Sequence, residues 1–150
     1  MRSVKRFATL LFATAALAAC DDKADFSNVL LPNITSIAGT WNLHTINGAL
    51  LPVGNITLVN GGNAVTVNAS TLTLVATNST SGTFTLSFTI NGANPGNTTG
   101  TYTLNGTALS LVLDGGNGNP LTLATPIAGS FNGGNTLSLT VNNNTLGYIR

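Results

Sequence analysis

The sequence predicts an all-β protein made of short antiparallel strands. Apolar residues alternate with small polar ones in steps of two, and turn-forming Asn and Gly residues separate the alternating runs. No window shows the sustained stripe, with a period of about 3.6 residues, that an amphipathic helix requires. The clearest run is 83–90, whose apolar face is made of Phe84, Leu86, Phe88 and Ile90. Thr and Ser fill its other face, as in a strand with one buried side.

Turn signals divide the chain into about eight to ten such strands. They stand at Asn47-Gly48, Asn60-Gly61-Gly62, Ser81-Gly82, Asn91-Gly92, Asn105-Gly106, Gly115-Gly116 and Gly133-Gly134. Further alternating apolar residues lie between them, at Tyr102 and Leu104, Leu109, Leu111 and Leu113, Leu121 and Leu123, Leu137, Leu139 and Val141, and Leu146 and Tyr148. The turn spacing is irregular, which argues against a solenoid and favours a sandwich or a barrel.

Charge is scarce, with 5 Lys+Arg and 4 Asp+Glu in 150 residues. Such a chain has no basic patch for nucleic acid, so a nucleic-acid partner is excluded. It also lacks the Lys and Glu residues that normally protect the edges of a sheet. Because closing the sheet on itself removes its edges, we expect a small antiparallel up-and-down β-barrel. The alternative is a two-sheet sandwich whose edges are shielded by loops.

The N-terminus has the pattern of a bacterial export signal. Residues 1–6 are basic and residues 7–17 (FATLLFATAAL) are apolar. The apolar run is too short to cross a bilayer, which takes about 20 residues.

A cysteine follows this run directly. Leu17-Ala18-Ala19-Cys20 resembles the bacterial lipobox, in which small residues precede a lipidated cysteine. The resemblance implies a signal peptidase site at Leu17, Ala18 and Ala19, and acylation, such as by palmitate, at Cys20. Ordinary secretion is the alternative, because Ala16-Leu17-Ala18 also fits an A-x-A cleavage site.

These features predict three regions: a signal peptide at 1–19, a lipid-anchored tether at 20–36 and a barrel domain at 37–150. The expected location is the bacterial cell envelope, with the membrane as a partner through Cys20. Asp21 resembles an inner-membrane retention signal of enterobacteria. Other bacteria sort lipoproteins differently, so the choice between inner and outer membrane stays open.

Motifs at both ends of the predicted barrel resemble those of bacterial lipocalin-like lipoproteins, and of the META domain. The segment 37–43 (IAGTWNL) carries a G-x-W motif, and an Asn-Gly turn at 47–48 and Leu51-Pro52 follow it. The segment 135–150 resembles their closing hairpin, which ends in an aromatic and a basic residue. The resemblance implies a calycin-like barrel closed by Gly39 and Trp41, with Arg150 across the indole. A freely solvated Arg150 is the alternative.

Few residues of the domain can take part in acid-base chemistry. From residue 37 onward the titratable side chains are His44, Tyr102, Asp114 and Tyr148, with Arg150 as a fixed cation. One carboxylate cannot make a glycosidase pair, and one His without a Cys cannot hold zinc. His44 and Trp41 lie on opposite faces of the predicted strand, so His44 is expected to face solvent. We therefore expect neither an enzyme nor a metal site or cofactor.

Two functions remain open. The predicted interior is large and apolar, with no obvious polar group to orient a ligand; its main residues are Trp41, Phe84, Leu86, Phe88, Leu104 and Leu111. An interior of this kind predicts a filled, non-catalytic barrel with a structural or interaction role, whose partner is an envelope protein. The alternative is a module that binds a small apolar ligand, since a barrel of about eight strands can just hold one.

Overall fold

The computed structural model describes residues 36–115 and 118–150. Within these ranges the chain forms ten β-strands. They are β1 (Gly39–Ile46), β2 (Ala49–Leu50), β3 (Val53–Ile56), β4 (Val65–Ala76), β5 (Ser81–Ile90), β6 (Asn97–Asn105), β7 (Ala108–Leu113), β8 (Ile127–Phe131), β9 (Thr136–Val141) and β10 (Asn144–Ile149). The predicted signal peptide, Cys20 and the tether up to residue 35 lie outside the described residues.

The strands form one antiparallel sheet that closes on itself. Its order is β2-β1-β10-β9-β8-β7-β6-β5-β4-β3, and β1 also pairs with β4. In this closing pair Gly39 lies opposite Leu74 and Trp41 opposite Leu72. Eight strands thus make the barrel, while β2 and β3 extend β1 and β4 on either side of the seam. The predicted up-and-down barrel is confirmed, and the sandwich alternative is wrong because a single sheet contains all ten strands of the described ranges.

Two-residue Asn and Gly turns connect several neighbouring strands. Asn47-Gly48 and Asn91-Gly92 both have positive φ at each residue, as a type I′ hairpin turn requires. The chain makes the same turn at Asn142-Asn143, between β9 and β10. The backbone twist of a type I′ turn matches the right-handed twist of the flanking strands, so each of these turns brings the following segment alongside the preceding strand.

The predicted turn at Ser81-Gly82 is wrong, because both residues belong to β5. Gly82 faces the interior and lies opposite Tyr102 of β6, and two residues further along Phe84 lies opposite Gly100. A Cβ atom built on either glycine would come within 2.8 Å of the aromatic ring opposite it. These glycines therefore make room for rings inside a strongly curved sheet, which is a known use of glycine in barrels.

One apolar cluster fills the barrel. Its largest fully buried side chains are Trp41, Tyr102, Tyr148, Phe88, Ile46, Leu72, Leu74, Leu86, Leu111, Leu139, Leu146 and Val67. Leu104, predicted as an interior residue, is only half-buried because it lies near the end of β6.

The end of the barrel opposite Trp41 is covered by two irregular segments. The predicted strand at Leu121 and Leu123 is wrong, since these residues lie in the connection between β7 and β8. Leu123 is buried nonetheless. The Asn119 side chain holds it in place by accepting from the Leu123 N–H and donating to the Leu123 carbonyl, both at 2.9 Å. From the other segment, Leu58 is buried against the same core.

The outer face of the barrel carries rows of hydroxyl groups. The longest threonine row crosses four strands through Thr40, Thr73, Thr85 and Thr99. The Thr40 and Thr73 hydroxyl oxygens are 3.3 Å apart, and Thr99 donates to the Asp114 carboxylate at 2.8 Å. The polar faces of the strands thus point outward and give the barrel an exterior with almost no charge.

Candidate functional site

Trp41, Arg150 and the segment 36–38 close one end of the barrel. Trp41 is fully buried, and its indole Nε1 donates to the Ile37 carbonyl at 2.9 Å. The Arg150 Cζ atom lies 4.5 Å from the centroid of the Trp41 ring. The Arg150 Nη1 atom also donates to the carbonyls of Ser36 at 2.9 Å and Ala38 at 3.0 Å. One side chain thus covers the indole and holds the entering chain across it.

Gly39 lets the chain pass beneath this arginine. Its φ is +137°, which side-chain-bearing residues rarely adopt, and a Cβ atom there would lie 3.3 Å from Arg150 Nη1. Gly39, Trp41 and Arg150, the three residues that the resemblance assigns to barrel closure, therefore lie together at what we call the Trp41 end.

A recess opens beside this closure. It has a volume of about 250 Å³. Its lining residues are Ile37, Ala76, Tyr102, Leu104 and Phe131, together with the polar residues Ser36, Asn78 and Ser79. We call it the end recess. Phe131 also packs edge-on against Trp41, with ring centroids 5.7 Å apart. None of the described residues that line the end recess is charged, so it suits an uncharged and mainly apolar molecule.

Tyr102, one of the residues that line the end recess, carries an unpaired polar group. The residue is 1% exposed, and its hydroxyl has no hydrogen-bond partner among the described residues. Burial raises the pKa of this hydroxyl above its ordinary value. The group is therefore protonated at neutral pH.

The other buried tyrosine is paired. The Tyr148 and Ser70 hydroxyl oxygens lie 2.9 Å apart inside the barrel. Burial raises the pKa of Tyr148, and the hydrogen bond with Ser70 offsets only part of that effect. Buried polar groups nearly always have partners, so Tyr102 departs from the usual pattern. The Thr98 hydroxyl is also buried without a partner.

The expectation that the interior offers no obvious polar group is wrong. Ser70, Thr98, Tyr102 and Tyr148 all place hydroxyls inside the barrel. The alternation of side chains along a strand could have predicted the Ser70 hydroxyl, since Ser70 lies on the same face of β4 as Leu72 and Leu74.

The predicted acid-base residues do not gather into one site. His44 is exposed at a bulge in β1, and Asp114 is exposed just after β7. These two strands are not neighbours in the barrel. Among the residues with described positions, no three His, Cys, Asp or Glu side chains lie close enough to hold a metal ion.

A second depression lies on the outer surface. It has a volume of about 250 Å³ and includes His44, with Gly147 among its lining residues. Thr45, Ser138 and Ser130 follow one row across the neighbouring strands, and the two serine hydroxyls are 2.9 Å apart. This surface is more open and more polar than the end recess.

Within the described ranges, no helix is long and apolar enough to cross a bilayer.

Comparison with known proteins matches the chain to one family. The model of the lipocalin-like domain matches residues 37–148. No curated protein and no solved structure matches the chain. The matched range begins two residues before β1 and ends in β10, so it covers the barrel with both of its closing strands.

Proposed function

The chain belongs to the lipocalin-like domain family, and on this premise we propose that it is a lipid-anchored envelope protein whose barrel has a non-catalytic, structural or interaction role. The family is generally non-enzymatic. The observation that carries the proposal is the filled interior: aromatic and aliphatic side chains, including Trp41, Phe88 and Tyr148, occupy it and are at most 1% exposed. A barrel packed in this way presents its surface to partners.

The anchor in this proposal is Cys20, supported by the lipobox pattern at residues 17–20. Each buried methylene of an acyl chain contributes about 0.8 kcal/mol, so more than one chain is needed for stable attachment. The proposed location is the bacterial cell envelope. The proposed partners are the membrane, through the acylated cysteine, and another envelope protein at the barrel surface.

Membrane fractionation tests the anchor. The Cys20→Ser variant is expected to move from the membrane pellet to the soluble fraction, whereas the unmodified chain resists carbonate extraction. The control is Cys20→Ser combined with Ser27→Cys, which keeps one thiol but places it away from the lipobox. Retention of Cys20→Ser in the carbonate-washed membrane would refute the anchor.

A second candidate function is the binding of a small, mainly apolar molecule. The end recess favours it, because it is an uncharged and mainly apolar depression of about 250 Å³. Mass spectrometry of small molecules that co-purify with the full chain tests this function. A reproducible compound at stoichiometric amounts supports it, and a chain that carries nothing favours the purely structural role.

A further inference from the structure

We infer that Asn132 is a site of spontaneous deamidation, which replaces its side-chain amide by a carboxylate on the surface of the barrel. Asn132 and Gly133 lie in the connection between β8 and β9. Because the change is covalent and internal to the chain, it depends neither on the proposed anchor at Cys20 nor on ligand binding.

The reaction needs only the chain and water. The Gly133 nitrogen attacks the Cγ atom of Asn132, the proton of that nitrogen passes to the side-chain amide, and the amide leaves as ammonia. Water then opens the resulting cyclic imide at either of its carbonyl carbons and restores one peptide N–H. The products are aspartate and isoaspartate. Glycine favours the first step, because it has no side chain to block the approach of its nitrogen.

The sequence alone does not distinguish Asn132 from other candidates. Asn-Gly pairs stand at 47–48, 60–61, 91–92, 105–106, 117–118 and 132–133. Residue 117 lies outside the described ranges. The other pairs differ in how the structure restrains the two groups that must meet, which are the side-chain amide and the nitrogen of the following glycine.

At Asn47 hydrogen bonds restrain the amide. The Asn47 side chain accepts from the Thr145 N–H at 2.8 Å and donates to Asn144 Oδ1 at 3.0 Å. Both of its polar atoms are therefore tied to β10 or to the turn that precedes it. The amide cannot rotate towards the Gly48 nitrogen until both bonds break.

At Asn91 hydrogen bonds restrain both reacting groups. The Asn91 side chain accepts from the Thr66 N–H at 2.9 Å. The Gly92 N–H, which would have to attack, donates to Asn68 Oδ1 at 2.9 Å. This pair is protected twice, once at the amide and once at the nucleophile.

Two further pairs are restrained through the main chain. Asn105 is the last residue of β6 and lies opposite Ala108 of β7 in the ladder. Asn60 lies in a turn that the Gly62 N–H closes by donating to the Val59 carbonyl at 2.9 Å. In both places the backbone must move before the glycine nitrogen can reach the amide, so we expect intermediate rates.

No comparable restraint acts on Asn132 within the described part of the chain. Its side chain is exposed, and neither that side chain nor the Gly133 N–H makes a described hydrogen bond. Gly133 and Gly134 both have a φ of +79°, and a Cβ atom built on either would meet nothing within 4 Å. The amide and the nitrogen can therefore approach each other without breaking a described contact.

The new carboxylate would change the charge of the depression on the outer surface, which Asn132 lines together with His44. From residue 37 onward Asp114 is the only side-chain carboxylate and Arg150 the only permanent side-chain cation. One deamidation thus doubles the number of side-chain carboxylates in this part of the chain. With His44 neutral, its side-chain charge changes from zero to minus one.

Peptide mapping of the folded full chain tests the inference. The chain is incubated at mildly alkaline pH, where a backbone N–H loses its proton more readily, and is then digested with pepsin at acidic pH, where imide formation is slow. Mass spectrometry measures aspartate and isoaspartate at each Asn-Gly pair. Because two hydrogen bonds must break at Asn47 and at Asn91, we expect Asn132 to react at least about tenfold faster than either.

Three controls separate the effect of the structure from that of the local sequence. In concentrated guanidinium chloride the differences between the pairs should disappear. Asn68→Ala removes the acceptor of the Gly92 N–H and should speed deamidation of Asn91 in the folded chain about threefold to tenfold. Asn132→Gln keeps a side-chain amide but closes the ring far more slowly, so the modification at this position should vanish.

A folded chain in which Asn47 or Asn91 reacts as fast as Asn132, or in which no pair reacts, would overturn the inference. So would equal ratios of the rates in the folded and denatured chains, or an unchanged rate at Asn91 in Asn68→Ala, because hydrogen bonding would then not set the order. Aspartate without isoaspartate at Asn132 would exclude the cyclic imide. Both products at Asn132, formed well ahead of those at Asn47, support it.

Discussion

Gly100→Ala is the substitution whose effect follows most directly from the geometry of the barrel. Gly100 faces the interior from β6. A Cβ atom there would overlap the Val112 carbonyl oxygen and lie 2.8 Å from Phe84 Cε1. The carbonyl belongs to the neighbouring strand β7, so a side-chain rotation cannot relieve the overlap. We expect the strand pair or the Phe84 ring to shift.

Two opposing contributions set the size of the effect. Replacing a strand glycine by alanine adds about 0.5 to 1 kcal/mol of stability through backbone entropy. Overpacking a well-filled core costs about 1 to 3 kcal/mol, and a backbone obstacle favours the upper end. The expected net loss in the free energy of unfolding is about 2 kcal/mol.

Urea unfolding followed by Trp41 fluorescence provides the assay, because Trp41 is the single tryptophan and is fully buried. A loss of about 2 kcal/mol lowers the midpoint by about 1 M urea. The matched control is Gly54→Ala, at an exposed strand glycine where a Cβ atom meets only Thr66 Oγ1, at 3.6 Å. If Gly100→Ala proved as stable as Gly54→Ala, the packing described around Gly100 would be incorrect.

Three further predictions concern the core. Trp41→Ala should lower the free energy of unfolding by about 3 to 5 kcal/mol. Arg150→Ala should lower it by only about 0.5 to 2 kcal/mol, mainly because the stacking on the indole is lost. Equal losses in denaturant unfolding would contradict the described packing. Tyr148→Phe should cost about 1 kcal/mol because Ser70 loses its partner, and a double-mutant cycle with Ser70→Ala should show coupling. The pKa of Tyr102 and of Tyr148 is raised above the unfolded value, so both contribute stability that is intact below about pH 10 and lost as the pH rises further. Thermal unfolding between pH 7 and 11 measures that loss of stability, and Tyr148→Phe should reduce it. A loss of stability that begins on acidification would contradict the expected direction of the pH dependence.

The barrel was predictable from the sequence because its two signals are local. Alternation assigned the inner and outer faces of β5 correctly, and the turns at Asn47-Gly48 and Asn91-Gly92 follow from the tolerance of Asn and Gly for positive φ. Scarcity of charge then favoured closure over open edges. The resemblance implied a closing hairpin within 135–150, but its turn at Asn142-Asn143 was not among the predicted turn signals because it lacks glycine, although asparagine also adopts this conformation.

The errors arose where a residue's role depends on its neighbours in space. Ser81-Gly82 looks like a turn, but the glycine is required inside β5 by the Tyr102 ring across the sheet. Leu123 looks like a strand residue, but two hydrogen bonds with the Asn119 side chain, one donated and one accepted by Asn119, hold it in a loop. The end recess was equally out of reach of the sequence, because residues from distant parts of the chain meet there only after closure.

The hydroxyl rows on the outer face have a consequence for how fast partners find the barrel. From residue 37 onward the sequence carries only Asp114 and Arg150 as charged side chains, and Arg150 is already bound to backbone carbonyls. Such an exterior projects almost no electric field, so nothing steers an approaching molecule over a distance of many ångströms. Encounters should proceed at the unsteered rate of about 10⁵ to 10⁶ M⁻¹s⁻¹ and respond little to ionic strength. Recognition would then depend on contact alone.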